Sequence, residues 1–352
     1  MPTHLRRWAT VFAGIAKERI SALGECLPQV PSMFWQGVGV VKRGARKVEG
    51  SRPMLLGAIA CLALFGLWSI GAAWGTMRTR KALPASQRLV DAAYKGSVRH
   101  IQTLIQQGAS VNHQDVRGRT ALMAAAEAGR DTAVAALLTA GADVDAADKS
   151  GWTAVMGAAG EGHTGCLQLL LGGGASVNGV NRSGRTALMG AAFGGHAASV
   201  RLLVDSGGKP DLQDHDGWTA LRWACKGNKP LVVQALLNRG ARPDIPDSDG
   251  WDPLTAASLE GHRHVVRALI AGGARVNARD SDGNTALMTS AFKGRDDVVD
   301  ALIGAGADAS AADKQGRIAT DWAREGERDA TSNAKPRYRR ILRALALSSG
   351  GG

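Results

Sequence analysis

The sequence predicts an all-α solenoid of repeated helix pairs preceded by a single transmembrane helix. Three observations carry this. Glycines recur at intervals of 33 residues over most of the chain, a run from Met54 to Met77 holds no charged residue, and the composition is unusually small-sided, with 46 Gly and only 5% aromatic residues among 352. So few large side chains cannot fill one deep core of the expected size, which points to short elements brought close together by Gly and Ala.

Residues 1–53 form a basic segment in which nine Lys or Arg face three acids. Leu5, Trp8, Val11, Phe12, Ile15 and Leu23 share one face of a possible amphipathic helix, with Arg6 and Lys17 elsewhere. Such a helix suits an anionic lipid surface, although Arg19 interrupts the face, and a solvated or partner-bound helix fits the pattern equally well.

MLLGAIACLALFGLWSIGAAWGTM, residues 54–77, lies between Arg52-Pro53 and Arg78. As a helix it would extend about 36 Å, enough for a hydrocarbon layer of ~30 Å. Trp68 and Trp74 sit toward one end, where indoles favour the interface. A cleaved signal peptide would need a leader of 53 residues, so an uncleaved anchor is expected. Basic residues flank the run almost equally; the more distant Arg6, Arg7, Lys17 and Arg19 tip the short N-terminal side toward the cytoplasm and the large C-terminal part outside it. Gly71 and Gly75 make one GxxxG, a geometry that permits a weak homodimer. Composition and the short basic leader suggest a bacterial inner membrane.

Residues 78–83 read as a basic linker, 84–347 as the repeat domain and 348–352 as a flexible tail. The net charge of +12 is concentrated in the leader, around residues 78–88 and in 335–343, leaving the bulk of the chain near neutral. That distribution argues against nucleic acid as a partner. Cys26, Cys61, Cys166 and Cys225 have no metal-ligand or disulfide spacing, and Cys225 falls in a slot that is Ala in neighbouring units, which predicts a small buried side chain.

Within the repeat domain, Gly118, Gly151, Gly184, Gly217, Gly250, Gly283 and Gly316 keep one register, and Gly141, Gly174, Gly207, Gly240, Gly273 and Gly306 keep a second. Asp115, Asp148, Asp214, Asp247, Asp280 and Asp313 stand three before the first glycine, where a carboxylate can bond the N–H groups of a turn while Gly supplies positive φ. Thr120, Thr153, Thr186, Thr219 and Thr285 follow as helix caps. Ala125-Ala126, Ala158-Ala159 and Ala191-Ala192 then permit tight contact with the next unit. A second helix carries Leu137-Leu138, Leu170-Leu171, Leu236-Leu237 or Leu269-Ile270.

Turn, helix, turn, helix in 33 residues, with Gly-x-Thr-x-Leu and the closing stretches GADVDAAD, GASVNGVN and GARVNARD, resembles the ankyrin repeat. The likeness implies six well-formed units starting at Asp115, Asp148, Asn181, Asp214, Asp247 and Asp280, a first unit over 84–114 without the turn glycine, and a degenerate last unit whose second helix follows an insertion around DATSNAKP. In that helix Tyr338, Ile341, Leu342 and Leu345 mark one face and five basic residues the other, as a solvated cap requires.

No catalytic constellation is present: HExxH, GxSxG and GxxxxGK[ST] are all missing. His163, His196 and His262 recur at one slot, stacked about 10 Å apart by helix packing, too far to share a metal ion. They read as structural residues of the turn between helices; no enzyme activity, cofactor or metal is expected. The resemblance instead implies a protein-binding scaffold whose concave surface is made by turn tips and first helices. Carried onto this chain, the family's contact slots hold Arg119, Trp152, Arg185, Trp218 and Trp251 after the turn glycine, and Phe193, Leu259, Phe292 and Lys293 before the helix-ending glycine. The aromatic members would form a stripe along neighbouring units. Family precedent also includes periplasmic inhibitors or immunity proteins of toxic enzymes and secreted effectors acting on host proteins. One departure stands out: where the family most often writes Thr-Pro-Leu-His, this chain writes Thr-Ala-Leu-Met at Met123, Met189 and Met288, with Met156 in the same slot. Loss of the imidazole predicts weaker polar ties between units.

Overall fold

The computed structural model describes residues 84–349. The leader 1–53, the apolar run Met54–Met77 with its Gly71 and Gly75, and the linker 78–83 lie outside the described residues. Among the described residues no helix is long and apolar enough to cross a membrane.

Among the described residues, sixteen helices form eight antiparallel-style pairs: α1 (Ala85–Lys95) with α2 (Val98–Gln106), α3 (Ala121–Glu127) with α4 (Asp131–Thr139), α5 (Ala154–Glu161) with α6 (Thr164–Gly172), and α7 (Ala187–Gly194) with α8 (Ala197–Asp205). Then come α9 (Ala220–Lys226) with α10 (Pro230–Leu237), α11 (Pro253–Glu260) with α12 (Arg263–Ala271), α13 (Ala286–Phe292) with α14 (Asp296–Gly304), and α15 (Ala319–Asp329) with α16 (Lys335–Ser349). No strand occurs among them; two isolated bridges, Ala147 with Thr153 and Val180 with Thr186, brace two of the turns. Odd-numbered helices pack on the next odd-numbered helix and even on even, so two parallel rows enclose the core.

The core is a set of columns. Leu104, Leu137, Leu170, Leu203, Leu236, Leu269 and Leu302, each 33 residues from the last, are all fully buried. Each stabilises the stack by about 1.5–3 kcal/mol relative to an exposed leucine. The odd helices approach one another over Ala125-Ala126, Ala158-Ala159 and Ala191-Ala192, none of which retains any exposed surface. Cys225 takes this slot at 1% exposure, and burial pushes its thiol up to about 12. Cys166 reaches about 12 as well, through burial and its S–H donated to Asp131 Oδ1 at 2.9 Å, so neither sulfur is a ready nucleophile.

Each turn is built on one side-chain oxygen. Asp115 Oδ1 accepts the N–H of Arg117 at 2.8 Å and of Arg119 at 2.9 Å, and the same pair of bonds recurs at Asp148, Asp214, Asp247, Asp280 and Asp313. Asn181 makes them with its amide oxygen, at 2.9 and 3.0 Å. The glycine that follows has φ of +75° to +83° throughout. Thr120, Thr186, Thr219 and Thr285 cap the next helix with Oγ1 at 3.2–3.3 Å from the N3 amide. Thr153 makes no such bond, against expectation. Asp252 replaces the threonine in the sixth unit and accepts Thr255 N–H at 2.7 Å. Asn228, at φ +53°, closes α9 where other units use glycine, a conformation that Asn tolerates better than most residues.

With methionine in the histidine slot, the polar ties between units lie elsewhere. Asn112, Asp145, Asn178, Asp211, Asp244 and Asn277 each accept a backbone N–H of the following unit, at 2.8–3.0 Å, and so stitch the first six of the seven junctions. Neighbouring turns are joined by Lys149 N–H to Arg117 C=O, Arg182 to Ser150, His215 to Ser183, Ser248 to Asp216 and Lys314 to Asp282, at 3.0–3.1 Å. His163 Nε2 stands 3.1 Å from the Glu127 carbonyl, which fits a structural role; Arg130, Arg295 and Tyr338 Oη reach the equivalent carbonyls of Tyr94, Leu259 and Phe292. The methionine sulfurs even supply a local substitute, Met123 Sδ and Met189 Sδ accepting the N–H of Thr120 and Thr186 at 3.5 and 3.4 Å.

The last unit caps the stack as expected. Tyr338, Ile341 and Leu345 of α16 are buried, while Lys335, Arg337, Arg339, Arg340 and Arg343 are exposed, and Arg340 pairs with Asp296 of α14. The helix continues to Ser349, two residues beyond the predicted domain end.

Three outcomes follow from this geometry. A Cβ at Gly217 would lie 2.6 Å from the Ser248 amide nitrogen, whereas at Gly240, also at positive φ, it would meet nothing within 4 Å. Gly240→Ala is therefore expected to cost only the conformational strain, about 1 kcal/mol, and Gly217→Ala clearly more, as read from thermal unfolding. Among the turn-to-turn bonds the junction between Asp247 and Asp280 has none, so in hydrogen exchange the Ser281 amide should exchange faster than those of Ser248 and Lys314. Burial would raise Asp313, but the Arg317 N–H, the Trp322 indole, the Arg317 guanidinium and the Gln315 N–H more than offset it and hold the carboxyl below its ordinary 3.8. A depressed folded-state value stabilises above the unfolded one and is lost as pH falls through the folded one. Tm should thus fall as pH drops below about 4, and less steeply in Asp313→Asn, whose amide can keep the turn as Asn181 does.

Candidate binding surface

Turn tips and odd-numbered helices share one side of the stack, and there the second oxygen of each turn aspartate meets the aromatic and cationic side chains. In the fifth unit, Trp223 projects from α9 and donates its indole N–H to Asp214 Oδ2 at 3.0 Å. Arg185 lies over its ring at 4.2 Å, Phe193 meets it edge-on at 5.5 Å, and Trp218 packs beside it at 4.7 Å. Arg222 in turn covers Trp218 at 4.2 Å and binds Asp247 Oδ2 at 3.3 Å, with both partners almost wholly buried. Cation–π contacts of this kind contribute about 0.5–2 kcal/mol, more as water is excluded.

A second cluster repeats the plan in the last unit. The Trp322 indole donates to Asp313 Oδ2 at 3.0 Å, Arg317 lies over the ring at 4.5 Å and binds the same carboxylate at 2.9 Å, and Phe292 meets the ring edge at 5.7 Å. Lys293 stands over Phe292 at 5.3 Å.

Between the second and fourth units the surface opens into a cavity of about 770 Å³. Its floor is Gly157, Gly160, Gly190 and Gly194, and its walls include Arg119, Glu127, Asp148, Trp152 and Phe193. Arg119 is braced by Asp115 at 3.1 Å and Glu127 at 3.8 Å.

The nine residues singled out in the sequence therefore do not make one stripe. Arg185, Phe193 and Trp218 join the first cluster, Phe292 and Lys293 the second, and Arg119 and Trp152 line the cavity with Phe193. Trp251 is half-buried and no ring contact among the described residues links it to either cluster; Leu259 is half-buried and its carbonyl accepts from Arg295. Phe193, at 49% exposure, is the most open large ring of the set. Sequence reasoning missed Trp223, Trp322, Arg222 and Arg317. The signal was there: Trp223 and Trp322 occupy a slot that is Ala124, Gly157, Gly190, Ala256 or Thr289 elsewhere, and a large residue among small ones at a fixed register must project outward.

The family model described as ankyrin repeats (3 copies) matches residues 89–181, 156–247 and 227–313. The ankyrin repeat domain of human ASB11, known from a crystal structure, is similar at 28% identity and a TM-score of 0.57, over 62% of this chain and 98% of that one. No curated protein matches the chain. With the family's repeat spanning well over half of its length, and the helix pairs in place, the chain belongs to the ankyrin-repeat family.

Proposed function

We propose that this protein is a membrane-anchored scaffold that binds a protein partner on the concave, turn-and-inner-helix side of its repeats and performs no catalysis. The observation that carries this is the accessible aromatic-cationic surface of Phe193, Trp223, Arg185 and Trp218 on a family of repeats that generally serves protein–protein interaction. Trp and Arg dominate binding energy where they are held rigid, and here each is fixed by a carboxylate or a ring.

The membrane part of the proposal rests on residues 54–77, uncharged and long enough to span, with Gly71 and Gly75 available for a weak homodimer. The basic leader favours a bacterial inner membrane with the repeats outside the cytoplasm.

A photocrosslinking side chain placed at Phe193 in the full-length protein should capture a partner, and one at Leu231, which is 73% exposed on the even-helix row, should not. Phe193→Ala is expected to weaken that partner about tenfold with little change in Tm. Equal capture from both positions would sink the concave-surface reading. A reporter fused after Gly352 checks the orientation, and a cytoplasmic signal would refute the periplasmic assignment.

A further inference from the structure

The cavity over Gly157 has the frame of an indole site from which the indole is missing. In the fifth unit Trp223 is held by Arg185 above the ring, Trp218 beside it and Asp214 Oδ2 on its N–H. Shifted back by two units of 33, those positions are Arg119, Trp152 and Asp148, and the position of Trp223 itself is Gly157. All four line the cavity.

A second observation bears on the same spot. Each turn aspartate uses Oδ1 to hold its turn, and Oδ2 is bound by Arg119 at Asp115, by Trp223 at Asp214, by Arg222 at Asp247, by Asn284 at Asp280, and by Arg317 and Trp322 at Asp313. Asp148, which lines the cavity, is the exception: among the described residues no side chain donates to its Oδ2. A carboxylate oxygen without a donor, beside a half-exposed Arg and Trp and above a glycine floor, matches a planar ring that carries one N–H. Trp322 repeats the recognition, with indole N–H on Asp313 and Arg317 over the ring.

We propose that the cavity is a receptor for a tryptophan side chain of the protein partner, seated over Gly157 with its N–H on Asp148 Oδ2 and its face under Arg119. This inference rests on the reading of this side of the stack as the protein-binding surface, and it names the anchor the partner supplies. The phenylalanine edge that Phe193 gives Trp223 is replaced here by Glu127, which also pairs Arg119 at 3.8 Å. Space is available: a Cβ on Gly157 would find only ordinary contacts, the nearest being Glu127 Cβ at 3.7 Å. The remaining volume over Gly160, Gly190 and Gly194 takes the backbone on either side of the anchor.

The test uses full-length protein in nanodiscs and the tripeptide Gly-(5-fluoro-Trp)-Gly, followed by fluorine NMR. Binding is expected in the millimolar range, with the 1-methylindole analogue weaker by about tenfold or more, as loss of a hydrogen bond to a charged acceptor requires. Asp148→Asn, which Asn181 indicates can keep the turn, should remove most of that preference. Gly157→Trp should fill the seat from within, abolish peptide binding and raise Tm. Absence of binding at millimolar peptide, equal binding of the two peptides, or peptide binding that survives Gly157→Trp would each overturn the proposal. The crosslink at Phe193 separates the two readings: a captured partner unaffected by Gly157→Trp overturns the tryptophan seat alone, whereas N–H-selective peptide binding without any captured partner supports the seat and removes the scaffold.

Discussion

Each helix pair is too thin to bury its own apolar surface, and every other feature of the repeat domain depends on that constraint. A unit contributes at least one buried leucine per even-numbered helix and small buried residues, mostly alanine, per odd-numbered one, and a solenoid covers such faces by stacking the adjacent unit on them. The polar groups obey the same rule. The bonds that stitch neighbouring units, from Asn112 to Asp143 at one end and from Asn277 to Asp308 at the other, span about one repeat in sequence and no more. Stability in such an array is a sum of nearest-neighbour terms, so a junction that lacks one tie, as that between Asp247 and Asp280 does, is locally weaker without compromising distant units.

The turn aspartate links this scaffold to its surface. Oδ1 of each turn aspartate is committed to two backbone amides, which makes the turn rigid and leaves Oδ2 free for a further partner at a fixed place. Evolutionary change in the surface can then act on whatever meets Oδ2: an arginine from the same turn at Asp115 and Asp313, an indole at Asp214 and Asp313, a buried guanidinium at Asp247. The aromatic clusters are rigid for the same reason, since each ring is fixed by a carboxylate on one side and a cation on the other. Rigidity of this kind reduces the ordering cost of binding, which links the polar architecture of the turns to recognition rather than to chemistry.

How much was legible in advance differs between the two. The period, the eight units, the capping threonines, the buried alanines and the amphipathic last helix all appear in the sequence, because they repeat at one interval and arise from local rules. Asn228 in place of a helix-ending glycine and Asp252 in place of a capping threonine were single-unit variations that the repeated pattern concealed. The residues that stitch the units, Asn112 and its successors, belong to a different slot from Met123 and Met189 and were not singled out in the sequence.

The slots of the nine surface residues could be read from the sequence, but their grouping could not. Whether Phe193 faces Trp218 or Trp223, and whether Arg185 covers a ring or solvent, depends on the distance and rotation between units, which no single unit encodes. The sequence by itself determined a stack of helix pairs, since a 33-residue period with paired glycines and small residues has no other way to bury its apolar face. Only the tertiary structure decided which side chains from adjacent units meet, and hence that the surface holds a glycine-lined cavity over the second to fourth units, followed along the stack by two aromatic clusters, because those contacts are made across the junctions between units.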